Sequence, residues 1–225
     1  MTITRQLADA QQVQLMSQSR RPGPAWLGGL VSQGLALVLI VLLSPVMLAI
    51  AVAIWWVDGR PVIYGHYRVG LNGRIFKCLK FRSMLRNSDE VLAEVLRTDP
   101  AAREEWQRDQ KLSRDPRITP VGHLLRRTSL DELPQLFNVL RGDMALVGPR
   151  PITVQELTRY GRVRWHYLAV KPGMTGLWQV SGRNQTTYDE RVDLDRMYVE
   201  SRSLGLNLRI LLRTIKVVVT RHGAV

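Results

Sequence analysis

The sequence has few of the residues that build disulfide or metal frameworks. It holds one cysteine, Cys78, and four histidines without metal-ligand spacing among 225 residues. A single cysteine excludes an intramolecular disulfide framework and a cysteine-rich zinc site, and it favours a reducing compartment. The chain also lacks the G-x-x-x-x-G-K-[ST] phosphate loop and the G-x-S-x-G nucleophile elbow.

Acidic residues are outnumbered by basic ones. Asp and Glu total 19 against 32 Lys and Arg, which gives a formal net charge of +13. This charge favours a polyanionic partner, namely nucleic acid, an anionic membrane face or a phosphorylated substrate. With 45% hydrophobic and 23% charged residues, the composition is that of a globular chain and excludes disorder throughout. The length fits one domain with a short appendage.

Charged residues are absent from Pro22 to Val57, and the centre of this run, Leu35 to Ile54, is 20 residues long. A membrane helix needs about 20 apolar residues, whereas the apolar part of a signal peptide has about 7–15. The run therefore predicts a membrane helix, with a buried helix of a soluble protein as the alternative. Trp55, Trp56 and Tyr64 follow it at the depth of interfacial anchors.

Pro45 lies near the centre of this run. Proline removes a backbone hydrogen bond and clashes with the preceding turn, so we expect a kink or break, with Ser44 satisfying freed backbone groups. The helix then either spans with a kink or bends back to the face it entered. Most of the positive charge follows the run, which predicts a cytoplasmic C-terminal part. Arg20 and Arg21 would resist export and favour the re-entrant form.

Three other segments have recognisable patterns. Residues 61–84 predict a hairpin that turns at Asn72-Gly73. Residues 86–113 predict a charged helix broken near Asp99-Pro100. The tail, Leu204 to Val219, predicts an amphipathic helix with one basic and one apolar face. Such a helix suits either an anionic membrane surface or a core with a solvated basic side. The basic face comprises Arg209, Arg213 and Lys216, and the apolar face Leu208, Leu211, Leu212 and Ile215.

Residues 128–151 predict a helix followed by a rigid turn. Ser129 and Glu132 match the S-x-x-E capping box, and Pro134 requires the helix to begin close to Asp131. Gly142 is expected to end the helix, and the turn 147–151 to present Arg150 between two prolines. The predicted apolar face comprises Leu133, Leu136, Phe137 and Leu140.

Asp131 and Glu132 are adjacent carboxylates at this predicted helix start. They either complement the helix dipole or serve as a nucleophile or metal ligand. The dipole and nearby Arg126 and Arg127 are expected to keep Asp131 ionised. Four cations offer a clamp for phosphate oxygens, although each one alone reads as a solvated surface residue. They are Lys80, Arg82, Arg126 and Arg150.

Several motifs together resemble the bacterial sugar transferases, the monotopic phosphoglycosyl transferases. They are K-F-R-S-M at 80–84, L-D-E-L-P-Q-L-F-N-V-L-R-G-D-M at 130–144, V-G-P-R-P at 147–151, K-P-G-M-T-G-L-W-Q-V-S-G-R-N at 171–184 and Y-D-E-R-V-D-L-D at 188–195. The resemblance covers about residue 30 to the C-terminus and is nearest to the galactose-phosphate type. It implies an α/β, mostly helical fold, in which a small cytoplasmic catalytic domain with amphipathic interfacial helices follows a re-entrant membrane helix.

The resemblance also implies a reaction. Hexose-1-phosphate would pass from a UDP-sugar, galactose or glucose, to undecaprenyl phosphate with release of UMP. Asp131 would be the nucleophile that forms a phosphosugar intermediate, and Glu132 its partner, with Mg²⁺ held by this pair. Arg126 and Arg150 match phosphate- or nucleotide-binding positions, joined by Lys80 and Asp195. Ser44-Pro45 matches the break of the re-entrant helix.

The expected organisation is a tail over 1–29, a re-entrant helix over 30–57 and a cytoplasmic transferase domain over 58–225. The expected partners are the two substrates, inner-membrane lipids and polysaccharide-assembly proteins, with no nucleic acid. The expected location is the cytoplasmic face of a bacterial inner membrane. An N-acetylhexosamine donor and a non-catalytic scaffold that binds anionic ligands are the alternatives.

Overall fold

The computed structural model describes residues 26–109, 112–182 and 186–220. Its first element, α1, is the apolar helix Trp26–Asp58. Within the described residues it is the one helix long and apolar enough to cross a membrane, and its most apolar 18-residue stretch has a mean hydropathy of 3.0. Only 11% of its most apolar stretch is buried inside the protein. The predicted apolar helix is therefore present, and most of its side chains face outward.

α1 continues through Pro45 instead of ending there. Because proline has no N–H, the carbonyl of Val41, four residues earlier, loses its usual helical donor. The Ser44 hydroxyl donates to that carbonyl at 2.8 Å. The predicted role of Ser44 in satisfying the freed backbone group is thus confirmed.

One stripe of α1 packs along the rest of the chain. Ala36, Met47, Ile50 and Ile54 are buried at helical spacing, and Gln33 Nε2 donates to the Leu140 carbonyl at 3.0 Å. At 1.5 Å per residue, this contact runs for about 30 Å along the helix. The opposite stripe is exposed and apolar; it includes Val31, Val38, Val41, Leu42 and Leu48.

The hairpin predicted around Asn72-Gly73 is confirmed. Strands β1 (Ile63–Val69) and β2 (Ile75–Phe81) pair antiparallel, with Tyr64 opposite Lys80. Between them a single 3₁₀ turn, Leu71–Gly73, places Asn72 and Gly73 at φ 55° and 77°. Asparagine and glycine are the residues that adopt this left-handed conformation most readily.

The remaining elements form a mostly helical body. The predicted interruption at Asp99-Pro100 is confirmed, since it separates α2 (Ser88–Thr98) from α3 (Pro100–Asp109). Then follow α4 (Pro120–Thr128), α5 (Gln135–Arg141), β3 (Ala145–Val147), α6 (Val154–Arg159), α7 (Arg164–Leu168), β4 (Gly173–Thr175), α8 (Leu177–Val180), α9 (Tyr188–Ser201) and α10 (Leu204–Thr220). β3 and β4 pair in parallel. Among the described residues, helices therefore predominate over two small sheets.

The predicted capping box at Ser129 and Glu132 is wrong. Ser129 is left-handed at φ 57°, ends α4, and makes no side-chain cap. A 3₁₀ turn, Leu130–Glu132, follows it, and α5 begins only at Gln135, after Pro134. Two true capping boxes lie elsewhere, at Thr153 with Glu156 and at Thr187 with Glu190. Gly142 does end α5, at φ 84°.

The predicted faces of two helices need correction. In α5 the buried residues are Gln135, Leu136, Asn138 and Val139, whereas Phe137 is exposed. In α10 the core side comprises Ile210 with Leu206 and Leu211. The other three leucine and isoleucine residues of the predicted apolar face, Leu208, Leu212 and Ile215, are exposed. α10 thus has two apolar rows, of which only one meets the core.

Gly122 allows α4 to lie against the backbone of Ser83, because a Cβ at this position would overlap the Ser83 carbonyl. We expect Gly122→Ala to cost at least about 3 kcal/mol of unfolding free energy, since rigid backbone would have to move. Gly205→Ala is the matched control: Gly205 is an exposed residue of α10, nothing lies against its new Cβ, and alanine there is neutral or stabilising. Thermal melts in detergent test the pair, and equal melting temperatures would contradict the prediction.

Candidate active site

The two adjacent carboxylates lie on the 3₁₀ turn between α4 and α5. The Asp131 side chain is 10% exposed and that of Glu132 is 22% exposed. On either side, Leu130 and Leu133 pack against a cluster that includes Met47, Ile50 and Ile54 of α1. The turn is therefore anchored against the apolar helix through the leucines just before and just after the carboxylate pair.

Lys80 reaches both carboxylates from β2. Its Nζ lies 2.7 Å from Glu132 Oε1 and 3.3 Å from Asp131 Oδ2. Charge-assisted hydrogen bonds of this kind are among the stronger polar contacts in proteins. Lys80 neutralises part of the charge of the pair and holds the two side chains together.

Arg126 approaches from α4. Its Nε donates to the Ser83 hydroxyl at 2.9 Å, which fixes the guanidinium beside the turn. Burial lowers the pKa of Arg126, and the nearby Asp131 and Asp115 charges act in the opposite direction. The half-buried cation therefore interacts electrostatically with Asp131 and Asp115, while its hydrogen bond goes to Ser83.

Arg150 approaches from the loop after β3, which is the rigid turn that was expected to present it. Its Nη2 lies 3.6 Å from Glu132 Oε1, and its guanidinium lies over the Trp178 ring at 5.7 Å from the centroid. Its side chain is 35% exposed, so it can reach a ligand from this position. Lys80 and Arg150 therefore contact the carboxylate pair directly, and the Arg126 charge acts on Asp131 from nearby.

The pKa of Asp131 is set by groups other than the helix dipole and Arg127, which were expected to favour its ionised form. Burial is the largest influence and raises the pKa of Asp131, and the Glu132 charge raises it further. The Lys80 charge lowers the pKa most, followed by the hydrogen bond from Lys80 and the Arg126 charge. The net shift is upward, and Lys80 is the main group that favours the carboxylate.

Arg82 lies away from this group. Its Nη2 donates to the carbonyls of Asp58 and Gly59 at 2.9 and 2.8 Å, and it also forms an ion pair with the Asp58 carboxylate. It therefore caps the end of α1. In the part of the chain that the structure describes, its Nε and Nη1 have no hydrogen-bond partner.

Asp195 lies in a second, buried polar cluster next to Arg150. It is 2% exposed, and its Oδ2 accepts a hydrogen bond from the Tyr160 hydroxyl at 2.8 Å. Arg191, one helical turn earlier on α9, lies over Trp178 at 4.7 Å from the ring centroid and pairs with Glu156. A carboxylate repels phosphate, so Asp195 does not suit a direct phosphate contact. The charges of Arg191 and Arg150 act to lower its pKa, against the larger effect of burial. Trp178 and Arg191 were not singled out from the sequence, although both lie within the motifs at 171–184 and 188–195.

Burial raises the pKa of Asp195 to about 6 from a model-compound 3.8. The folded state therefore binds this proton more tightly than the unfolded state, and the stability that it contributes is complete below pH 3.8 and is lost as pH rises through 6. Above that pH the ionised side chain costs about 3 kcal/mol. We expect Asp195→Asn to melt higher than the parent at pH 7.5, with the difference shrinking toward pH 4. Exposed Asp189→Asn is the control, and a difference that does not vary with pH would contradict the prediction.

The carboxylate pair suits a magnesium ion whose remaining coordination positions would be filled by substrate phosphates. Mg²⁺ is commonly held by one or two carboxylates, with phosphate oxygens and waters filling the other positions. Asp131 and Glu132 supply two such carboxylates side by side. Within the described residues no three His, Cys, Asp or Glu side chains group together, so that part of the chain has no all-protein metal cage.

The chain is similar to known proteins over most of its length. The family model described as bacterial sugar transferase matches residues 27–221. The undecaprenyl-phosphate galactose phosphotransferase of Salmonella typhimurium is 55% identical over 192 residues, and the UDP-galactose-lipid carrier transferase of Erwinia amylovora is 59% identical over 191. The exopolysaccharide production protein ExoY of Rhizobium meliloti is 49% identical over 189.

These matches differ in how much of each relative they cover. Each spans 84% of this chain. The same matches span 40% of the Salmonella protein, 39% of the Erwinia protein and 84% of ExoY. The similarity therefore concerns one part of the longer relatives and nearly all of the shorter one.

Proposed function

The chain belongs to the bacterial sugar transferase family, and we propose that it transfers a hexose-1-phosphate from a UDP-sugar to undecaprenyl phosphate in exopolysaccharide synthesis. The names of the Salmonella and Erwinia relatives favour galactose as the sugar. The observation that carries the proposal is the buried Asp131 beside Glu132, with Lys80 contacting both carboxylates, Arg150 contacting Glu132 and the Arg126 charge acting on Asp131. Phosphoryl transfer needs a nucleophile and positive charge, and this arrangement supplies both.

In the first half of the reaction, an Asp131 oxygen attacks the phosphorus that bears the sugar. A bond forms between Asp131 and that phosphorus, and the bond from the phosphorus to the oxygen of the departing UMP breaks. The electron pair leaves with UMP, so the enzyme retains the sugar phosphate on Asp131 as an acyl phosphate. In the second half, an oxygen of the lipid phosphate attacks the same phosphorus and releases the Asp131 carboxylate. One site thereby serves two bulky phosphorylated substrates in turn.

The basic side chains around Asp131 stabilise the charge that the reaction moves. In this proposal Arg126 and Arg150 contact phosphate oxygens as planar, multidentate donors. Lys80 shifts from the carboxylates to the phosphate as the new bond forms. When bound, Mg²⁺ would be held by Asp131 and Glu132 and would neutralise diphosphate charge.

Three features support a membrane location at the level of the lipid headgroup. The turn that carries Asp131 packs against α1, whose other side is exposed and apolar. α10 adds an exposed row, Leu204, Leu208, Leu212 and Ile215, and basic Arg209, Arg213 and Lys216. A helix of this kind lies in the interface of an anionic membrane. Trp55 and Trp56 are exposed at the end of α1, where interfacial aromatic residues belong.

We propose that α1 is re-entrant and that the domain after it is cytoplasmic, where UDP-sugars are made. The packing of α1 along the domain supports this. If α1 crossed the membrane away from the domain, the stripe of α1 that is now buried would lose the residues that cover it. The test is an Arg5→Cys substitution in a Cys78→Ala background, probed with a membrane-impermeant thiol reagent on intact cells. Labelling only after permeabilisation supports re-entry, and labelling of intact cells would mean that α1 spans the membrane.

We also propose the division into a tail over 1–29, the membrane helix over 30–57 and the transferase domain over 58–225.

UMP release tests the activity. The full chain in detergent would receive Mg²⁺, undecaprenyl phosphate and one UDP-sugar at a time: galactose, glucose, N-acetylgalactosamine or N-acetylglucosamine. We expect release with UDP-galactose at the highest kcat/KM. Preference for an N-acetylated donor would correct the sugar, and no release from folded protein with any donor would favour the non-catalytic scaffold.

A further inference from the structure

Asn138 is a fully buried polar residue in the middle of α5. It is 0% exposed, and its neighbours Leu136 and Val139 belong to the core cluster. An amide in such surroundings is costly unless its donors and acceptor are paired. The partners of Asn138 therefore indicate why a polar side chain is placed there.

The side chain of Asn138 binds the free edge of β2. Its Nδ2 donates to the Lys77 carbonyl at 2.7 Å, and its Oδ1 accepts from the Leu79 amide at 2.9 Å. β1 occupies the other edge of β2. A primary amide has a donor and an acceptor in one plane, so it can satisfy both groups of a strand edge at once. Alanine, valine or leucine at this position would remove the partner of both backbone groups, the Lys77 carbonyl and the Leu79 amide.

This contact joins the segments that carry the charged groups of the site. Lys80 follows Leu79 directly, and the turn with Asp131 and Glu132 leads into α5. The Asn138 main-chain carbonyl also accepts from the amides of Asp143 and Met144, which begin the path to β3 and Arg150. Asn138 is thus the residue at which these three segments meet.

We propose that Asn138 is a positioning residue for the active site, which sets the register of β2 against α5 so that the Lys80 amine meets the two carboxylates. The inference deepens the proposed function and rests on it for its kinetic part. Its side chain touches none of the reacting groups, and it acts through the backbone of Lys77 and Leu79. Lys80 lies one residue beyond this anchor, so a small slip of the strand would separate its amine from Asp131 and Glu132.

A double-mutant cycle with Lys80 distinguishes positioning from general stability. We expect Asn138→Ala to lower the single-turnover rate of UMP release about 30-fold, with the KM for the UDP-sugar within about 3-fold of the parent. In a Lys80→Ala background the same change is expected to cost less than about 3-fold, because the group that Asn138 positions is gone. Val139→Ala, next to Asn138 in the same core, is the control. It is expected to lower the melting temperature and to reduce the single-turnover rate by the same small factor with and without Lys80.

The contact itself is measured without activity. Hydrogen exchange of the Leu79 amide is expected to accelerate at least about 10-fold in Asn138→Ala relative to Val139→Ala, since its acceptor is lost. If the alanine variant does not fold, Asn138→Ser takes its place, because the shorter serine side chain carries a single oxygen and cannot span both backbone groups as the amide does.

The outcomes separate the two hypotheses. Equal losses from Asn138→Ala with and without Lys80 would overturn the positioning role, and unchanged Leu79 exchange would overturn the contact. If the parent chain releases no UMP from any donor, the proposed function fails, while the exchange measurement still decides whether Asn138 anchors β2.

Discussion

Asp131→Asn is expected to reduce UMP release by at least about 10³-fold while leaving the protein folded. An amide nitrogen and oxygen fill the same space as the carboxylate but do not provide the anionic oxygen that attacks phosphorus. Loss of the buried charge removes an electrostatic cost, so the melting temperature is expected to stay level or rise. The assay compares the variant with the parent under saturating UDP-sugar and Mg²⁺.

The control for this prediction is Asp189→Asn, the same chemical change on the exposed first turn of α9. It is expected to keep the full rate. Retention of more than a tenth of the parent rate by Asp131→Asn would mean that the carboxylate is not the nucleophile. The pair would then be reduced to a metal-binding or structural role.

Lys80→Met is expected to lower kcat about 100-fold, the second large effect. Methionine keeps most of the length of the side chain but removes the ammonium that lies 2.7 Å from Glu132 and 3.3 Å from Asp131. Two adjacent carboxylates would then face the phosphate without this cation, at a cost typical of losing one charge-stabilising donor. Single-turnover rates measure the change directly.

Lys77→Met supplies the matched control on the same strand. Lys77 is exposed, and its Nζ lies over the Tyr67 ring at 5.5 Å from the centroid, away from the carboxylates. Its substitution is expected to change kcat by less than about 2-fold. Similar losses in both variants would show that the strand tolerates neither change and that the ammonium of Lys80 has no special part.

Local chemistry explains which features were predictable from the sequence. Asn72-Gly73 defines its turn because few other residues adopt φ above zero. Pro100 cannot continue α2, and Ser44 is the near donor for the carbonyl that Pro45 leaves free. Arg150 is presented by a loop that prolines stiffen on both sides.

The errors arose where a local pattern has more than one structural solution. Ser129 and Glu132 match a capping box in spacing, yet Ser129 is the left-handed end of α4. Two other T-x-x-E segments form real boxes, so spacing alone does not identify the one that caps a helix. In α10, periodicity gives two apolar rows and does not say which one meets the core.

The sequence motifs indicate candidate site residues more readily than the long-range contacts that hold them. The structure brings Lys80 and Arg150 into contact with Asp131 and Glu132, whereas Arg82 caps α1. The role of Asn138 depends on the edge of a strand about 60 residues earlier in the chain, and no short-range pattern contains it. Long-range pairing of this kind is fixed by the fold as a whole.

The most direct test of the central claim is to locate the sugar phosphate on the protein. The full chain would be incubated with UDP-galactose and Mg²⁺ without lipid acceptor, quenched, digested and mapped by mass spectrometry. The account predicts a hexose-phosphate adduct on Asp131 that forms together with UMP and disappears when undecaprenyl phosphate is added. Release of UMP that requires both substrates at once, with no adduct at any time, would contradict it and indicate direct transfer between the two substrates.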